Sequence, residues 1–234
     1  MKSSLKQLIW LALFSIAMGF LEAAVVVYLR AIYYPEGFSF PLTMMDPHHV
    51  FIELLREAAT VVMLTGVGIL AGRSVNQRLA FFLTAFSLWD IFYYVFLKLL
   101  LDWPDSLFTW DILFLIPVPW IGPVITPVVV SVTMLLLAGV IYYRDLQNSA
   151  HRLRGREWSL LILGSLTVIL SWMWDYLTLS AGQTDSQEKT LAAFSHYIPQ
   201  YYPWWLFAVG EMLLLSGIFI FWKRTKVSRR LAQK

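Results

Sequence analysis

The sequence predicts an all-α fold: a polytopic membrane protein, a six-transmembrane-helix bundle with short interfacial or re-entrant segments on its outer side. Three observations carry that expectation. Of the 234 residues, 59% are hydrophobic and only 14% charged, whereas a water-soluble domain carries about a quarter charged residues. Apolar runs recur at lengths close to the roughly 20 residues that a bilayer-crossing helix needs. Lysine and arginine alternate between abundance and scarcity in successive connections. Together these exclude a soluble enzyme and a disordered chain. A disulfide-stapled module and thiolate chemistry are excluded because there is no cysteine.

Spans are placed at 7–29, 50–72, 79–101, 121–143, 158–180 and 203–222, forming a single integral membrane domain over residues 1–234. Strands are not expected for these runs, because in lipid only a helix satisfies its own backbone within one segment. The first run follows a basic start and continues past the length of a signal-peptide core, so it is read as a retained span. The second begins cleanly: Asp46 suits an N-cap and Pro47 the first helical position. The fourth carries Pro123 and Pro127 and is expected to be kinked or unwound near its start.

Fourteen of the eighteen Lys and Arg residues fall at the N-terminus, in the second and fourth connections, and at the C-terminus. Only Arg30, Arg56, Lys98 and Lys189 fall toward the other side. Both termini are therefore expected in the cytoplasm, with the chain in the cytoplasmic (inner) membrane and its site facing the periplasm. The same topology accounts for the net charge of +3 without nucleic acid. Residues 31–49, 102–120 and 181–202 are rich in Trp, Tyr, Phe and Pro, and are expected to cap the bundle in the outer interface. Within them, 106–120 is too short and proline-broken to span, and reads as re-entrant or interfacial.

Ionisable residues that interrupt the spans are the pointer to function. Glu22, Glu53, Arg56, Glu57, Asp90, Asp175 and Glu211 all fall in the outer half. Eight residues separate Arg30 from Glu22, His49 from Glu57, Lys98 from Asp90 and Pro203 from Glu211. At about 1.5 Å per residue, four acids from four helices lie roughly 12 Å below the outer interface. On the second span His49, Glu53, Arg56, Glu57 and Thr60 share a sector about 100° wide, which should face the interior. Arg56 is placed to pair with Glu22 or Glu57, and Asp175 to bond the cap. Ser87-Leu88-Trp89-Asp90 and Ser171-Trp172-Met173-Trp174-Asp175 resemble each other only briefly, so no internal repeat is assigned.

Several buried acids beside one arginine require protons, water or bound cations. The expected site is thus a divalent-metal centre held by Glu22, His49, Glu53, Glu57, Asp90 and Glu211. Arg56 balances charge or holds an anionic group, and Glu57, Asp90 and Arg56 are the candidate catalytic residues, acting on a lipid-like or amphiphilic substrate. His49 and Glu53, four apart on one face, have spacing compatible with a shared metal. His151 belongs to a basic loop, while His48 and His196 lie on the outer side. There is no HExxH pair, nucleophile elbow or glycine-rich phosphate loop. Two other classes fit the same acids: a proton- or cation-coupled transporter, and a structural or assembly subunit of a larger membrane complex such as a respiratory one.

Overall fold

The computed structural model describes residues 2–147, 152–181 and 197–232. Among the described residues, seven helices and one hairpin follow in order: α1 (Lys2–Tyr33), α2 (Pro47–Ala71), α3 (Val75–Leu101), β1 (Trp110–Phe114), β2 (Trp120–Pro123), α4 (Ile125–Leu146), α5 (Gly155–Trp172), α6 (Trp174–Ala181) and α7 (Trp204–Ala232). Five of the helices are each long and apolar enough to cross a membrane, and six spans result if α5 and α6, bent by 60° at Met173, count as one. The chain is thus a multi-pass membrane protein by length and composition. The uninterrupted span expected at 158–180 is corrected to this broken pair. His151, Lys189 and His196 lie outside the described residues.

Central in the bundle, α3 packs against α1, α2 and α4, and α7 packs against α5 and α4. Facing outward are large apolar side chains such as Trp10, Val62 and Leu70, the last 88% exposed. In water such a surface would drive association, and in lipid it is matched by the acyl chains. The buried positions of α2 are Glu53, Glu57, Thr60, Leu64 and Gly68, close to the helical period expected for its polar stripe. Asp46 caps this helix by accepting from the His48 backbone N–H at 2.8 Å, with Pro47 at its first position.

Where α5 meets α7 the backbones almost touch. A Cβ on Gly164 would lie 2.9 Å from the Gly210 carbonyl oxygen, and one on Gly210 would lie 2.7 Å from Val168. Small residues permit such approach between membrane helices, which then associate through van der Waals packing. Replacing Gly164 by valine is therefore expected to push the helices apart and cost about 1–3 kcal/mol. A thermal melt in constant detergent checks this, and an unchanged midpoint contradicts it.

The main correction concerns residues 106–123. An antiparallel hairpin forms here, pairing Trp110 with Pro123, Asp111 with Gly122, Ile112 with Ile121 and Phe114 with Trp120, with an irregularity between Ile112 and Phe114. Its strands are rich in aromatic and β-branched residues that suit a pleated surface. Pro117 and Pro119 break the connection between them. The fourth span therefore begins at Ile125 rather than 121, and its prolines bracket the helix start: Pro123 ends β2 and Pro127 sits in the first turn of α4. No side chain caps α4. Instead the loop supplies carbonyls, with Thr109 accepting from Val124 at 3.0 Å and Leu107 from Ile125 at 2.7 Å, which meets part of a helix start's demand for acceptors. Trp120 stacks on Trp172, ring centroids 5.5 Å apart, and thereby fixes the hairpin against α5.

Candidate functional site

Residues 111–115 of the hairpin line, together with α1, α2 and α3, a partly open cavity of about 140 Å³. That volume suits a few waters or the polar head of an amphiphile, and is well below the size of a whole drug-sized ligand site. Five carboxyl groups and two guanidiniums line it: Glu22, Glu53, Glu57, Asp90 and Asp111, with Arg30 and Arg56.

Arg56 bridges two of the acids. Its Nη1 donates to Glu22, and its Nε donates to Glu53 Oε2 at 2.8 Å. Thr60 adds a longer hydrogen bond to Glu22 Oε2 at 3.4 Å and also donates to the Arg56 carbonyl at 3.0 Å. This triad joins α1 to α2 at a depth where a lone charge would be expensive. Glu57, expected as an alternative partner of Arg56, does something else: its two oxygens accept from the Leu115 backbone N–H at 3.1 and 2.9 Å. Leu115 lies just past β1, so its N–H is not taken by the ladder. Asp90 accepts from Ser131 Oγ of α4 at 2.8 Å. Neither Glu57 nor Asp90 forms an ion pair among the described residues, although Arg56 is close enough to Glu57 to act on it electrostatically.

A second ion pair holds the hairpin. Arg30 Nη2 donates to Asp111 Oδ1 at 3.3 Å, and the Tyr94 hydroxyl donates to Oδ2 at 3.2 Å. The Arg30 guanidinium also lies 3.7 Å from the centre of the Trp103 ring and 4.4 Å from that of Phe38, both cation–π contacts. In the hairpin, burial pushes the Asp111 carboxyl up to about 6, against the opposing pull of Arg30. Since this folded value exceeds the ordinary 3.8, the group contributes stability that grows as pH falls through 6 and is lost as pH rises past it. Infrared difference spectra should show a protonated carboxyl band that titrates near pH 6 and disappears in Asp111→Asn. A band titrating near 4 contradicts this.

The expected site residues divide as follows. Glu22, Glu53, Arg56, Glu57 and Asp90 line one cavity. Glu211 stands apart, between α7 and α4, where Thr133 Oγ1 donates to it at 2.8 Å. His49 is exposed and hydrogen-bonds the Tyr33 hydroxyl, so it does not join Glu53, which is taken by Arg56. Asp175 is buried at the start of α6 and bonds Tyr197 of the loop ahead of α7. Among the described residues, no three His, Asp or Glu side chains are grouped so as to hold a metal ion. The guanidinium of Arg56 lies between Glu22 and Glu53 and pairs with both.

Arg30, Tyr94 and Asp111 are site residues that the sequence reading did not select. In the sequence Arg30 marks only the outer interface, and Asp111 lies in a segment expected to be re-entrant or interfacial. A usable signal was the repeat of Trp89-Asp90-Ile91 in Trp110-Asp111-Ile112, since both aspartates face the same cavity. No family model, curated protein or solved structure matches the chain.

Proposed function

We propose that the protein binds the polar head of an amphiphilic molecule that enters this cavity from the outer leaflet, with Glu57 and Asp90 as its principal polar contacts. One observation carries the reading: two carboxyl groups that form no ion pair, Glu57 and Asp90, face a cavity whose other charged groups are engaged with one another around Arg56 and Arg30 and whose remaining wall is largely aromatic and apolar. A mostly apolar, concave site with a few convergent polar groups is the usual form of a small-molecule site. The distribution of Lys and Arg supports a cavity opening to the periplasmic side of the cytoplasmic membrane, with both termini inside. Surrounding lipids are the constant partners. The reading gives a divalent ion no part, because Arg56 already compensates Glu22 and Glu53.

Native mass spectrometry of the protein released from nanodiscs provides the test. One amphiphile per chain should remain bound, its occupancy unchanged by chelator and reduced at least tenfold in the Glu57→Gln, Asp90→Asn double variant. Equal occupancy in variant and parent would overturn the assignment. Loss on chelation would instead restore the divalent-metal site expected from the sequence.

A further inference from the structure

We infer that the seam between α5 and the α3–α4 pair binds one anionic phospholipid, with an acyl chain lying in the groove there and the head group set against Arg78 and Arg154. The site is separate from the amphiphile cavity and does not depend on it. Helix α4 packs chiefly on α3, and α5 chiefly on α7, which leaves between them a second cavity of about 270 Å³. Its floor is buried, formed by Leu83, Leu137, Leu161, Leu214 and Ile218. Ile162 and Leu166 on the α5 rim are each 52% exposed, so the groove opens sideways to the surrounding hydrocarbon. Apart from Thr133 and Ser165 its lining is apolar, and the Thr133 hydroxyl is committed to Glu211.

Size decides what lies in the groove. From Trp158 to Leu166 its wall follows α5 for about 12 Å, so 270 Å³ corresponds to a mean section of about 22 Å². A helix with its side chains is roughly 10–12 Å across and needs a section of about 80 Å², which the groove does not offer. A single extended hydrocarbon chain is slender enough, and it supplies the dispersion contacts that an empty groove would forfeit. Charge decides the head group. The groove runs out at Leu79 and Trp158, near the starts of α3 and α5. Arg78 adjoins Leu79, Arg154 stands at the N-cap of α5, and both are exposed. Arg78 Nε donates to the Gly72 carbonyl at 3.2 Å, which holds the guanidinium beside the start of α3. The acids at this end are engaged: Glu157 pairs with Arg224 at 2.7 Å, and Asp145 accepts from Ser74 Oγ at 3.1 Å and Gln77 Nε2 at 2.6 Å. Basic side chains at a cleft between membrane helices suit an anionic phosphate head. The Trp158 ring on the rim has the amphipathic character that favours the level of the head groups.

Native mass spectrometry of the detergent-purified protein, titrated with dioleoylphosphatidylglycerol and in parallel with dioleoylphosphatidylcholine, provides the test. One anionic lipid per chain should bind tightly, and the zwitterionic lipid with the same chains at least tenfold more weakly. Arg78→Gln with Arg154→Gln should weaken the anionic lipid about 25-fold, at roughly fivefold for each basic residue. Arg156→Gln removes the same charge from the far side of α5, turned about 150° from the lining stripe, and should weaken it less than twofold. Ser165→Phe, which fills the groove from an exposed position on its wall, should abolish the tight binding. Leu170→Phe, on the exposed surface of α5 outside the groove, should leave it unchanged. Equal affinity for the two lipids overturns the inference, as does binding indifferent to both the arginine pair and Ser165→Phe. Loss of the anionic lipid in the Glu57→Gln, Asp90→Asn variant would place it in the other cavity and also overturns it. A dimer that Ser165→Phe dissociates would make the groove a contact between copies of the chain, with the same consequence.

Discussion

Replacing Arg56 by methionine is expected to destabilise the folded protein by about 3–5 kcal/mol, the loss that follows when one partner of a buried ion pair is removed and the other charge stays behind. Here two charges stay behind, because Arg56 serves Glu22 on α1 and Glu53 on its own helix. Methionine keeps much of the side-chain volume, so the loss reports charge rather than a void. Lysine should recover only part of it, because a point charge does not reproduce the fork that reaches both carboxylates. Adding Glu22→Gln to Arg56→Met should return some stability, since the variant then buries fewer uncompensated charges. Unfolding by steric trapping, or thermal melts in one detergent, measure all three. A change below about 0.5 kcal/mol, ordinary for a surface substitution, would show that the triad is exposed and weak.

Replacing Arg30 by methionine should release the hairpin while leaving the bundle folded. The guanidinium joins the end of α1 to Asp111 and lies against Trp103 and Phe38. Losing the ion pair and both ring contacts should lower the local opening free energy by about 3 kcal/mol. Hydrogen exchange of the amides at 110–123 should then quicken roughly a hundredfold, since each 1.4 kcal/mol is a factor of ten. Amides of α5 facing α7 act as the internal reference and should keep their protection. Equal acceleration in both regions would mean that Arg30 supports the whole fold rather than the hairpin. The Leu115 N–H belongs to the affected segment, so Glu57 should lose its backbone partner in the same variant.

The membrane class, the approximate spans and the inward stripe of α2 were legible in the sequence because each follows from periodicity and hydrophobicity alone. Counting residues from the interface expects Glu22, Glu57 and Asp90 at one level, and all three line one cavity. Depth does not fix which helices are neighbours. Glu211 is expected at the same level by the same count, yet α7 packs on α5 and α4, and Glu211 meets Thr133 instead. The hairpin was hidden for a different reason. Its strands are short and lie in a proline-rich stretch, and its pairing depends on a register that local composition does not express. Asp111 became visible as a site residue only once that pairing aimed it at Arg30.

Because the chain lacks cysteine, a single introduced thiol reports access without background. Met45, ahead of α2, lines the cavity, and Arg73, in the connection between α2 and α3, is exposed at the opposite end. In sealed spheroplasts a membrane-impermeant maleimide should label Met45→Cys directly, and Arg73→Cys only after permeabilisation. The reverse pattern would place the cavity on the cytoplasmic side and contradict a site that takes its amphiphile from the outer leaflet.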